Sequence, residues 1–81
     1  MFSSVYYFFV KRRARKVLAV AAKSILSSQE IAYRTRMSKS KTEDALRFLE
    51  RKDYLSSGYL MPGGMKIYRI TKQGEAALAG V

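Results

Sequence analysis

The chain has 81 residues, with sixteen Lys and Arg against six Asp and Glu, and it contains neither Cys nor His. That length holds one domain with a modest core; lacking Cys and His, it has no disulfide framework, no thiolate metal site and no imidazole ligand or general base. The net charge of +10 points to a polyanionic partner, because each phosphate neutralised by Lys or Arg releases condensed counterions.

The charge is unevenly spread, +8 over residues 1–40 and +2 over residues 41–81. The chain opens on an apolar run, Met1-Phe2-Ser3-Ser4-Val5-Tyr6-Tyr7-Phe8-Phe9-Val10, with its basic cluster after it. A secretory leader has the reverse order, and ten residues fall short of the roughly 20 that span a bilayer. The expectation is a soluble, cytoplasmic protein. Residues 1–9 form an apolar segment that either completes the core or makes a dimer seam, and residues 10–81 form the domain.

From about Val10 to Lys23, Val10, Ala14, Val17, Leu18 and Ala21 share one helical face, while Lys11, Arg12, Arg13, Arg15 and Lys16 occupy the rest of the wheel. Ser27-Ser28-Gln29-Glu30 has capping-box spacing and predicts a short helix with Ile31 and Ala32 inward, ending near Thr35-Arg36. Ser38 is the preferred cap of the next helix, although Ser40 to Glu43 has the same spacing and allows a slip of two residues. In that helix Thr42, Ala45, Leu46 and Leu49 share a face, opposite Ser40, Glu43, Asp44 and Arg47. An i,i+4 pair between Glu43 and Arg47 is expected. Phe48 falls off the apolar face, so it is either a half-buried aromatic under the wing or N-terminus, or a contact to base methyls or a partner.

The period then changes to two. Tyr54–Leu60 and Met65–Ile70 read as strands, joined by Met61-Pro62-Gly63-Gly64 as a hairpin. Thr71 caps a last short helix through Leu78.

Two helices joined by a short turn, the second polar on its outer side, describe a helix-turn-helix. Together with the hairpin and the stretches Ser27–Ala32, Met37–Lys41, Ala45–Leu55 and Tyr68–Gly74, the chain resembles the winged helix-turn-helix family over roughly Val10 to Leu78. The fold class implied is mainly α with a small β-hairpin: a three-helix core, a wing and a short C-terminal helix. Gly often stands in that family where Arg36 and Asp53 stand here; Asp visits left-handed backbone more readily than most residues.

The resemblance implies that residues 39–52 enter the major groove of double-stranded DNA. Ser38, Lys39, Ser40, Lys41, Glu43, Asp44 and Arg47 would then meet base edges, which Lys, Arg, Ser and acidic side chains can all read. Arg34 and Arg36 beside the turn, and Gly63, Gly64, Lys66 and Arg69 on the wing, would contact the backbone. Arg12, Arg13, Arg15 and Lys16 serve DNA, solubility or an intersubunit contact. A homodimer is expected, with Phe2, Tyr6, Phe9 and Val10 at its interface. With no phosphate-binding glycine loop and only scattered carboxylates, the expectation is no enzyme, no cofactor and no small-molecule effector. A protein–protein module on the same fold is the main alternative; RNA and a membrane surface are the others.

Overall fold

The computed structural model describes residues 2–80, with side chains from Arg12 onward. Its elements are α1 (Phe2–Ala21), β1 (Leu26–Ser27), α2 (Ser28–Thr35), α3 (Lys39–Arg51), β2 (Leu55–Tyr59), β3 (Lys66–Ile70) and α4 (Lys72–Ala79). α1 begins at Phe2, well before the expected start near Val10. Nothing in residues 2–10 breaks a helix, since that run has neither Pro nor Gly. The expected stripe is the buried one: Ala14, Val17, Leu18 and Ala21 face α2 and α3.

The core joins that stripe to Leu26, Ile31, Ala45, Leu46, Leu49, Leu55 and Tyr68. The helices α1, α2 and α3 therefore each give an apolar side to the core, and α4 adds the partly buried Leu78 against it. Burial of its Val, Leu and Ile side chains, at about 1.5–3 kcal/mol each, is the main force opposing chain entropy in so short a domain. Thr42 is also buried, and its hydroxyl donates to the Ser38 carbonyl at 2.8 Å, so no buried polar group is orphaned there.

A strand the periodicity did not predict completes the sheet. β1 is two residues long, too short to show alternation, and it pairs antiparallel with β3 through Leu26↔Tyr68 and Ser27↔Ile67. The sheet order is β1-β3-β2, with Leu55↔Ile70 through Tyr59↔Lys66 forming the wing. The hairpin turns at Met61-Pro62-Gly63-Gly64, where the Gly64 N–H donates to the Met61 carbonyl at 2.8 Å. Pro at the second position and φ +74° at Gly63 are the signature of a type II turn.

α4 is bound to the wing by a glycine. A Cβ on Gly74 would lie 2.2 Å from the Tyr54 carbonyl oxygen, so the start of α4 approaches the backbone just before β2 as no other residue could. Thr71 holds the same corner: its hydroxyl donates to the Asp53 carbonyl at 2.7 Å and accepts from the Gly74 N–H at 3.0 Å.

Candidate nucleic-acid interface

The turn between α2 and α3 is built from its two caps. Ser27 starts α2 with the reciprocal box predicted from sequence: the Glu30 N–H donates to the Ser27 hydroxyl and the Ser27 N–H to the Glu30 carboxylate, both at 3.2 Å. α2 stops because Arg36 adopts a left-handed backbone, φ 58° and ψ 37°. The Met37 N–H then reaches the Ala32 carbonyl and the Arg36 N–H the Tyr33 carbonyl, the paired bonds of a Schellman motif. Asp53 ends α3 in the same way at φ 64°, with Tyr54 bonded to Leu49 and Asp53 to Glu50. Both positions where the family often carries Gly therefore hold the conformation that Gly favours. Arg36 does so without the local hydrogen bonding that eases Asp into it.

α3 begins at Ser38, not at the alternative Ser40 cap: the Ser38 hydroxyl accepts from the Lys41 N–H at 3.2 Å. That contact uses the oxygen's lone pair and leaves its O–H free to donate outward. Lys39, Ser40, Lys41 and Arg47 are exposed, while Glu43 and Asp44 are half-buried at the edge of the same face. Arg47 pairs with Asp44, three residues back, rather than with Glu43 as expected. The i,i+3 partner lies on the same side of the helix, and either spacing brings opposite charges together. Two candidate base-reading residues are thus engaged with each other in the chain by itself. Arg34 and Arg36 project from either side of the Schellman turn and are exposed.

On the wing, the candidate contacts divide. Arg69 is exposed, opposite Ser56 in the register. Gly63 and Gly64 form the turn at the tip. Lys66 leans back against the domain instead: its Nζ lies 3.9 Å from a Glu50 carboxylate oxygen and 5.3 Å from the centre of the Tyr68 ring. Partial desolvation lowers the Lys66 pKa, but the neighbouring Tyr68, Glu50 and Tyr59 outweigh it and leave a net upward shift. Lys66 is fully cationic at neutral pH.

Glu50 had no assigned role in the sequence. It also accepts from the Ser57 hydroxyl at 2.8 Å, so one carboxylate on α3 holds both wing strands. Strand register had to be known before that clasp could be seen. Phe48 is half-buried against the core, with the Lys52 ammonium 5.8 Å from its ring centroid. The wing tip differs most from a simple phosphate-gripping hairpin. Tyr59, Leu60, Met61 and Met65 are all more than half exposed, and residues 54–65 carry no charge. That uncharged run was visible in the sequence as a signal. Phe2, Tyr6, Phe9 and Val10, the expected dimer seam, have side chains outside the described residues.

No protein-family model matches the chain, and no curated protein does. Solved structures do. A double mutant of ZitR from Lactococcus lactis, in apo form, superposes at TM-score 0.79 with 15% identity, over 98% of this chain and 62% of that one. The adhesin competence repressor AdcR of Streptococcus pyogenes gives 0.77 and 13%, over 84% of this chain and 52% of that one. A single-site mutant of S. aureus MepR gives 0.71 and 17%, over 99% and 72%. The chain spans 48% and 62% of the two ZitR chains it matches. At such identities the likeness is one of architecture, and with the helix-turn-helix and hairpin described above it shows that this chain has the winged helix-turn-helix fold.

Proposed function

We propose that the chain binds double-stranded DNA and regulates transcription, with α3 in the major groove and the β2–β3 hairpin as the wing. One observation carries the reading: Lys39 and Lys41 stand exposed in the first turn of α3, which has no acidic residue there. The N-terminal end of a helix carries partial positive charge, so cations there cost about 0.3–1 kcal/mol each and acids stabilise. α2 follows that rule with Glu30 in its first turn, and α4 sets Glu75 against Lys72 there. α3 breaks it on the face left open to solvent, as a helix would if an anion normally lay against it. In this reading Ser38, Lys39, Ser40, Lys41, Glu43, Asp44 and Arg47 meet base edges, and Arg34, Arg36, Gly63, Gly64, Lys66 and Arg69 position the backbone. The repressor role carried in the name of AdcR agrees with this assignment. We take the working form to be a cytoplasmic homodimer joined through Phe2, Tyr6, Phe9 and Val10.

A salt titration of duplex binding by fluorescence anisotropy tests it. The four backbone cations alone give a log–log slope of about −3.6 per protomer, a roughly 150-fold loss of affinity between ~50 and ~200 mM salt. A second reading, a protein-interaction module, is favoured by the apolar wing tip. Absence of duplex binding at ~50 mM salt would select it.

A further inference from the structure

We infer that the wing tip acts as an apolar wedge, inserting Leu60 and Met61 between base pairs from the minor groove and kinking the duplex. The inference rests on the DNA-binding reading and assigns the tip a task that phosphate contact cannot perform. Single exposed apolar side chains are ordinary on protein surfaces, but Tyr59, Leu60, Met61 and Met65 are clustered on one hairpin end. Residues 54–65 carry no cation, so the tip itself offers a phosphate backbone N–H groups but no charged side chain, and the neighbouring Lys66 leans back on Glu50 and Tyr68. Leu, Met and Pro are the side-chain types that unstack a base step when driven into it.

Charge selects the partner. Between Asp53 and Glu75 there is no acid; Lys66 stands at the tip end of the ladder opposite Tyr59, with Glu50 partly offsetting its charge, and Arg69 and Lys72 lie toward the base of the hairpin and in the helix after it. An apolar point on a cationic base complements a polyanion with an apolar interior, and a stacked duplex is one. The undeformed minor groove, about 6 Å wide, is too narrow for a two-stranded ribbon, so in this reading the side chains of the tip enter it while the strands stay outside. The point is also stiff. Pro62 and Gly63 set the turn, the Gly64 N–H closes it on Met61, and a Cβ on Gly64 would meet Met61 at 2.9 Å. Glu50 ties the hairpin to α3 through Ser57 in mid-strand and Lys66 beside the tip, so helix and tip address the duplex as one body.

The test uses the whole chain and a duplex of about 30 base pairs recovered by selection from random sequence. The duplex is end-labelled for energy transfer, with 2-aminopurine placed at successive steps. The wild type is expected to bend it by some tens of degrees and to brighten 2-aminopurine at one flexible pyrimidine–purine step. The double variant Leu60→Ser/Met61→Ser, at exposed positions that leave the core intact, should lose both signals and about tenfold in affinity. Met61→Lys should restore affinity through a phosphate contact without restoring the bend. A straight duplex under the wild type, or an equal bend under the serine variant, overturns the wedge. Loss of binding to phosphatidylserine vesicles by the serine variant, with its DNA complex unchanged, overturns it in favour of a lipid surface. If the salt slope stays steep while the duplex stays straight, DNA binding stands and the wedge alone falls; if no selected duplex is held, both fall.

Discussion

Lys41 offers the sharpest separation between what stabilises α3 and what the helix is for. It occupies the third helical position after the Ser38 cap, the place where Glu30 stands after Ser27 in α2. Lys41→Glu would therefore complete a capping box at α3, adding a bond from the Ser38 N–H to a carboxylate like the 3.2 Å bond of Ser27 to Glu30. It would also replace a cation with an anion at the positive end of the helix. Each half of that charge change is worth about 0.3–1 kcal/mol, and the added cap bond a few tenths more. The expected gain is about 1–2 kcal/mol, a rise in Tm of roughly 5–15 °C for a domain of this size, read by circular dichroism or calorimetry. The same variant should weaken duplex binding by at least tenfold in anisotropy, because a base or phosphate contact worth about 1–3 kcal/mol becomes a repulsion. Lys41→Gln, which can cap without the negative charge, should fall between the two in both assays. A variant more stable and equally avid would remove Lys41 from the interface. A less stable one would refute the electrostatic account of this helix end.

The left-handed residues give a matched pair. Arg36→Gly and Asp53→Gly should each raise stability, by about 0.5–1 kcal/mol at Arg36 and less at Asp53, yet only the former should flatten the salt slope, by about 0.9. Equal slopes for the two variants would dismiss Arg36 as a phosphate contact. Gly74→Ala places a methyl 2.2 Å from the Tyr54 carbonyl and should cost about 2–3 kcal/mol in denaturant unfolding, with α4 and the wing losing their fixed relation. Asp44→Asn releases Arg47 from an exposed ion pair that contributes little to folding. Melting should be nearly unchanged while duplex affinity rises several-fold and discrimination among duplex sequences weakens, measured by competition.

Much of this architecture was legible because its signals are local. The buried stripe of α1, the Ser27 box, the Ser38 cap and the Thr42-Ala45-Leu46-Leu49 face each need no more than a few turns of chain to declare themselves. The Pro62-Gly63 turn is written in two residues. What escaped depends on partners distant in sequence. β1 exists because Leu26 and Ser27 lie beside Tyr68 and Ile67, some forty residues on. Glu50 became a clasp once the hairpin register set Ser57 and Lys66 near it, and the same clasp drew Lys66 back from the free wing position expected for it. Arg47 chose Asp44 over Glu43, a distinction that helical spacing alone does not make, since both neighbours are within reach.

Several positions that defy local physical preference fall on the helix-turn-helix and the wing, the elements to which the proposed function assigns the duplex. Lys39 and Lys41 oppose the dipole of α3, Arg36 holds a backbone angle suited to glycine, and Leu60 and Met61 stand in water. Much of the domain obeys the ordinary rules: caps are filled, the buried Thr42 and Ser27 are bonded, and the apolar stripes Ala14-Val17-Leu18-Ala21 and Ala45-Leu46-Leu49 are covered. A sequence selected for stability alone would correct the exceptions by single changes, Glu at 41 or Gly at 36, at no cost to the core. The absence of these corrections from one helix, its preceding turn and the hairpin supports the proposed binding of a polyanion there. The stabilities of Lys41→Glu and Arg36→Gly therefore weigh the whole interface, because each measures how far the free chain is held from its own optimum on that side.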